Sequence, residues 1–173
     1  MSKYPSITAG VLPVASLQAM VPDITVKATT TDRTTTTMSD DPDLQGIALG
    51  VGTWSVDMLI FANTVTTSTQ KIRTQWSFTG TWNTPIRACI GPGSANSGLR
   101  DAITPSQFDG VPSNTDCTYG FAASSGYSVV LERCDLVVVT VAGALAFKWG
   151  QSVFSANATS VKAGSSVRVR QIA

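Results

Sequence analysis

The apolar residues of this chain recur with a period of two over most of its length. Trp54, Val56, Met58 and Ile60 fall on one face of the stretch TWSVDMLIFAN, and Ile72, Thr74, Trp76 and Phe78 fall on one face of QKIRTQWSFT. Phe147 and Trp149 alternate with Lys148 and Gly150, and Val161, Ala163, Val167 and Val169 carry the alternation on, with Arg168 and Arg170 interleaved. Period two is the signature of a strand buried on one side. It predicts further strands at residues 24–38, where Ile24, Val26 and Ala28 alternate before threonine takes over, and at 85–89, 117–122, 127–131 and 136–141. The polar stretch 64–70 reads as the loop of an antiparallel hairpin joining the two tryptophan-bearing strands. About eight short strands with frequent turn signals indicate an all-β chain, an antiparallel sandwich of jelly-roll type.

Residues 1–22 break this pattern. Pro5, Pro13 and Pro22 punctuate them, and Val14, Leu17 and Val21 share one face at helical spacing. Pro13 suits a first helical turn and Pro22 ends the helix. About two turns of helix do not stand alone in water, so the segment must dock on its own sheet or on a neighbour. The expected organisation is a short N-terminal docking arm with one short helix, residues 1–22, and a β-sandwich domain, residues 23–173. The irregular stretch 91–115 is long for a loop in a small domain, and such loops usually carry function or contacts.

Charge narrows the function. Charged residues make up 13% of the 173 and the net charge is +1, against a usual charged share of about a quarter. A nucleic-acid partner is excluded, because it calls for a basic face that displaces counterions. No segment is long and apolar enough to span a bilayer. The opening MSKYPSITAG lacks the apolar run of a secretion signal, which implies folding in a cytoplasm. A charge-poor surface with an apolar arm suits a subunit covered by neighbours, a homotrimer or another closed ring.

Candidate chemistry is sparse. The chain has no histidine and a single glutamate, Glu132, so the usual acid-base residue near neutral pH is missing. Ser94 and Ser125 lie in glycine-rich turns without a nucleophile elbow. Asp40, Asp41 and Asp43 are close enough in sequence to share a calcium ion, but their spacing is not that of an EF-hand and they read better as turn carboxylates. Asp57, Glu132 and Asp135 are scattered among strands, with nothing to pair them as glycosidase carboxylates. Cys89, Cys117 and Cys134 lack zinc spacing and read as small buried thiols, with Cys117 and Cys134 the pair to cross-link under oxidising conditions. No metal or cofactor is expected, and no enzymatic activity. Trp54, Trp76 and Trp149 belong to the core. Trp82, in a turn beside Thr81 and Asn83, is the aromatic placed for contact with a partner, and with Tyr119 and the 91–115 loop it would form the rim of a host-glycan site.

The two ends of the chain resemble a known family. The C-terminal part carries Trp149, Gln151 and Ser152, then Asn157-Ala158-Thr159, Val161 to Ser165, Val167 to Val169 and Ile172. The N-terminal part carries Ile7-Thr8-Ala9 and Leu17-Gln18-Ala19-Met20-Val21-Pro22. Together these are similar to small virion structural proteins of tailed phages and prophages of actinobacteria, of minor tail or head decoration type. The resemblance implies a bacteriophage structural protein, made in the host cytoplasm and located in the virion, without catalytic residues. A head decoration or minor capsid protein is favoured, attached to the major capsid protein through its arm, with Val14, Leu17, Val21 and Trp82 as the contact residues. The alternative is a minor tail or host-glycan-binding protein at the tail, with tail proteins as partners.

Overall fold

A computed structural model describes residues 21–64, 70–93, 109–121 and 127–173. The described chain is all-β, with antiparallel strands in two sheets that pack into a sandwich. The strands are β1 Asp23–Val26, β2 Thr31–Arg33, β3 Ser39–Asp40, β4 Ile47–Leu49, β5 Gly52–Thr64, β6 Ile72–Phe78, β7 Thr81–Trp82 and β8 Ile86–Ile90. There follow β9 Asp109–Pro112, β10 Cys117–Tyr119, β11 Ser128–Val141, β12 Gly143–Gln151, β13 Thr159–Val161 and β14 Ser166–Gln171. The larger sheet runs β1-β14-β5-β11-β8-β9, with β13, β2 and β7 attached beside it. The smaller runs β10-β6-β12-β3, with β4 on β12.

The pairing follows one rule. Strands of the first half take partners from the second half in reverse order: β1 with β14, β3 and β4 with β12, β5 with β11, and β6 with β10. The chain thus folds back on itself as a ribbon: β1 with β14, β2 with β13 and β5 with β11 lie in the larger sheet, and β3 and β4 with β12 and β6 with β10 in the smaller. At the corner between β11 and β12 two glycines let the backbones touch. A Cβ on Gly143 would lie 2.2 Å from the Gly80 nitrogen, and one on Gly80 would lie 2.2 Å from the Val141 carbonyl.

The core fills the space between the sheets. Val56, Met58, Ile60, Val167 and Val169 from the larger sheet meet Ile72, Trp76, Leu145, Phe147 and Trp149 from the smaller. Trp54 is buried with them, so the three tryptophans expected inside are inside.

Several expectations are corrected. The strands β5 and β6 are not a hairpin; they lie in different sheets. Each has one apolar face, and such faces are buried equally well side by side or across a sandwich. Residues 127–131 and 136–141 belong to one strand, β11, whose register shifts between Cys134 and Val137. The consecutive exposed residues Asp135 and Leu136 mark that bulge, which restores the inward phase for Val137. Residues 24–38 are not one strand: β1 pairs with β14 and β2 with β13. Part of the stretch 91–115 is strand β9 against β8. The expected N-terminal helix, including Val14 and Leu17, lies outside the described residues. Val21 is exposed, two residues before β1. Among the described residues no helix is long and apolar enough to cross a membrane.

Candidate functional site

The chain's one glutamate is at the centre of the sandwich. On β11 the inward positions are Val130, Glu132 and Cys134, and Glu132 is fully buried. Four donors converge on its carboxylate. Oε1 accepts from the Thr74 hydroxyl and, at 3.0 Å, from the Tyr119 hydroxyl. Oε2 accepts from Trp76 Nε1 at 2.7 Å and from Arg87 Nη1. The Arg87 guanidinium, also fully buried, donates Nη2 to the carbonyls of Thr74 (2.9 Å) and Thr115 (2.7 Å), while its Nε–H has no acceptor. Burial works against the Arg87 charge, but the adjacent Glu132 carboxylate, joined by Cys89, Tyr119 and Cys117, holds the guanidinium above its ordinary pKa. Burial, and then the same carboxylate, push the Tyr119 hydroxyl upward. Arg87 and Glu132 belong to the larger sheet, and Thr74, Trp76 and Tyr119 to the smaller. The group is a polar bolt through the core: hydrogen bonding and charge pairing compensate the loss of solvation.

The two thiols beside it are reduced. Cys89 and Cys117 hydrogen-bond to each other, which raises the Cys89 pKa, with burial adding to the rise, and lowers that of Cys117. All three cysteines are free and buried. The three cysteines are the small buried thiols read from sequence, and β10 sets Cys117 against Cys89 rather than against Cys134, the partner named for oxidising conditions.

A second buried ion pair organises the turn at residues 39–44. Lys27 Nζ donates to Asp41 Oδ1 at 2.7 Å and to Thr31 Oγ1 at 2.8 Å, and lies 3.4 Å from Asp43 Oδ2. Asp41 also accepts from Trp149 Nε1 and from the backbone amides of Asp43 and Leu44. The backbone amide and hydroxyl of Thr29 hold the Asp43 carboxyl below its usual pKa. Two of the carboxylates considered for calcium, Asp41 and Asp43, thus already face a cation, the Lys27 ammonium, while Asp40 accepts from the Ser77 hydroxyl. Arg33 caps the arrangement from outside, its guanidinium 4.2 Å from the Trp149 ring centre.

The outer face of the larger sheet is of another kind. On β8 Arg87 and Cys89 point inward, so Ile86, Ala88 and Ile90 point outward. On β1, Ile24 and Val26 are outward and exposed. Register then aligns Val26, Ser166, Leu59, Leu131 and Ile90 in one row across five strands, with Phe61 and Val129 paired beside them. Val26 is 57% exposed and Val129 48%. The neighbouring row is Ile24, Arg168, Asp57, Arg133 and Ala88. There Arg133 bridges Asp57 at 3.2 Å and Asp135 at 3.0 Å. A cleft of about 280 Å³ opens at this charged row, lined by Pro22, Ser55, Asp57, Arg133, Arg168 and Arg170.

Val14 and Leu17 fall outside the described residues, as do Ser94 and Ser125. Trp82 is half-buried, stacked on Phe78 with ring centres 4.7 Å apart and packed against the core. Tyr119 is buried on Glu132 and forms no rim with Trp82. Glu132 points inward and Asp57 outward, so the sheet separates them. Sequence reasoning missed Arg87, the burial of Lys27 and the outward apolar row. The one available signal was Glu132 in the inward phase of an apolar strand, which demands a buried cation. Comparisons with protein-family models, curated proteins and solved structures found no match.

Proposed function

We propose that this chain is a non-enzymatic bacteriophage virion structural protein, a head decoration or minor capsid protein. One observation carries the reading: the larger sheet turns apolar side chains outward along Val26, Leu59, Leu131 and Ile90, flanked by Ile24, Phe61 and Val129. Exposed apolar rows of this kind are covered by a neighbouring subunit in soluble assemblies. The pairing order adds support. First strand with last, with β3 and β4 on β12, β5 on β11 and β6 on β10, is compatible with a jelly roll, an architecture that serves viral shells and lectins alike; the step from fold to role is analogy. The arm, residues 1–22 with Val14, Leu17 and Val21, attaches the domain to the major capsid protein, and the outward row joins copies in a homotrimer. Pro22, at the end of the arm, lines the cleft on this same face.

Mass spectrometry of capsids separated from tails tests the assignment. Presence in the capsid fraction is expected. Presence in the tail fraction alone overturns the decoration role in favour of the alternative, a minor tail or host-glycan-binding protein, for which the half-exposed Trp82 is the structural support.

A further inference from the structure

The charged cleft contains two exposed guanidinium groups, one of which, Arg170, acts through its charge on the Asp135 carboxylate. Arg168 and Arg170 are exposed, two residues apart on β14, and neither forms an ion pair or hydrogen bond among the described residues. Arg168 lies in register with Asp57, but that carboxylate is taken from the other side by Arg133. Arg170 lies in register with Ser55, whose hydroxyl donates to Asp135 at 2.9 Å. The cleft lining therefore carries three arginines against one aspartate. Every other long cation described above is held: Lys27 by Asp41, Arg33 by carbonyls and Trp149, Arg87 by Glu132.

We infer that Arg168 and Arg170 form a docking site for an extended acidic segment of a partner protein. Geometry favours this partner. Residues i and i+2 of a strand lie about 6.5–7 Å apart on the same face. Carboxylates at i and i+2 of an extended segment have the same spacing, so two aspartates separated by one residue meet the two guanidinium groups in step. Charge favours it too. Arginine pairs with a carboxylate through two parallel hydrogen bonds, and the Asp57 carboxylate in the lining opposes a dianionic phosphate more than a monoanionic side chain. Among the described residues β1, with Ile24 opposite Arg168, pairs on one side only. Strand addition along β1 would set an extended segment beside the two arginines.

This inference rests on reading the outer face as a docking face, but its test uses the isolated protein, so absence from capsids would leave it standing. A labelled Gly/Ser peptide carrying two aspartates separated by one threonine is titrated by fluorescence anisotropy, with an asparagine version as control. The aspartate peptide should bind and the control should not, and high salt should weaken binding, as for any exposed charge pair. Arg168→Gln and Arg170→Gln should each weaken it about two- to fivefold, and the double variant about tenfold or more. Because both side chains are exposed and make no hydrogen bond or ion pair among the described residues, the variants should unfold close to the wild-type denaturant midpoint at neutral pH. Arg168→Lys/Arg170→Lys should retain part of the affinity. Equal binding of the two peptides, or binding unaffected by the double Gln variant, overturns the site. Tighter, arginine-dependent binding of inorganic phosphate or of polygalacturonate overturns the acidic-protein assignment.

Discussion

Arg87 and Glu132 form an ion pair in which neither side chain has any solvent exposure. The pair joins β8 to β11 in one sheet and, through Thr74, Trp76 and Tyr119, reaches the other. It also sets the character of the outside. With Arg87 turned inward, the strand's isoleucines turn outward, and the apolar row on the larger sheet follows. Core chemistry and docking surface are two sides of one choice of phase.

Removing one partner of this pair leaves the other charge buried and uncompensated. Glu132→Gln should destabilise the domain by about 3–5 kcal/mol, whereas Arg87→Met/Glu132→Leu, which removes both charges, should recover much of the loss. Urea denaturation of the three proteins measures this. A Glu132→Gln protein as stable as wild type would show that the network does not hold the sheets together.

The long strands were legible because their alternation is strong: Trp54 to Ile60, Ile72 to Trp76, Phe147 to Trp149 and Val167 to Val169 put the expected face inside, whereas Ala163, assigned to the same alternation, is exposed between β13 and β14. What was not legible is which sheet each strand joins. Alternation says that a face is buried, not against what, so β5 and β6 looked like hairpin partners. The phase of β8 and β1 was also hidden. Hydrophobicity alone places Ile86 and Ile90, or Ile24 and Val26, inside. They are outside because Arg87 and Lys27 have acidic partners 45 and 14 positions away in sequence, and no local pattern reports such a partner. The candidate docking face is built from these inversions, so it was the least visible part of the molecule.

Acid should weaken the fold through two carboxylates. Thr29 holds Asp43 below its ordinary 3.8, its backbone amide first and its hydroxyl second. For Asp135 burial acts upward, but hydrogen bonds from Ser55 and Arg133 prevail and leave it lowered. A carboxyl lowered in the folded state contributes stability above its unfolded pKa, and that contribution is lost as pH falls through the folded value. The unfolding midpoint should therefore be insensitive to these two groups above about pH 5 and fall below about pH 4. Asp43→Asn and Asp135→Asn should each flatten part of that fall. A decline of unchanged steepness in both variants would assign the acid sensitivity elsewhere.

The cysteines should be silent in the folded protein. All three are buried and free, and Cys89 and Cys134 are held above the usual thiol pKa, by the Cys117 hydrogen bond and burial in one case and by burial in the other. Thiolate is the reactive form, so iodoacetamide should modify the native protein slowly and add three groups in denaturant. Intact mass under native and denaturing conditions reads this directly. Rapid native labelling, or fewer than three additions without reductant, would contradict the arrangement around Glu132.

Gly143→Ala tests the corner between the sheets. Its Cβ would press on the Gly80 backbone, at 2.2 Å from the nitrogen and 2.6 Å from the Cα, which no side-chain rotation relieves. Overpacking of this kind costs about 1–3 kcal/mol. A lower unfolding midpoint is expected, and an unchanged one would mean that β12 leaves β11 with more room than the geometry gives.

The outward apolar row gives the decisive test of assembly. Val129 and Val26 are exposed at their centres, so a glutamate at either position reaches solvent without disturbing the interior. Val26→Glu/Val129→Glu should therefore unfold at nearly the wild-type denaturant concentration. In an assembly the same two carboxylates would be buried without partners, a penalty that apolar contact does not offset. Sedimentation velocity should show the wild-type chain as a closed oligomer, with a trimer expected, and the double variant as a monomer. The two measurements separate the outcomes. A wild-type monomer would refute self-association. A variant that still assembles at wild-type strength would move the interface off this face. A variant that loses both assembly and stability would show that the row belongs to the fold rather than to a partner.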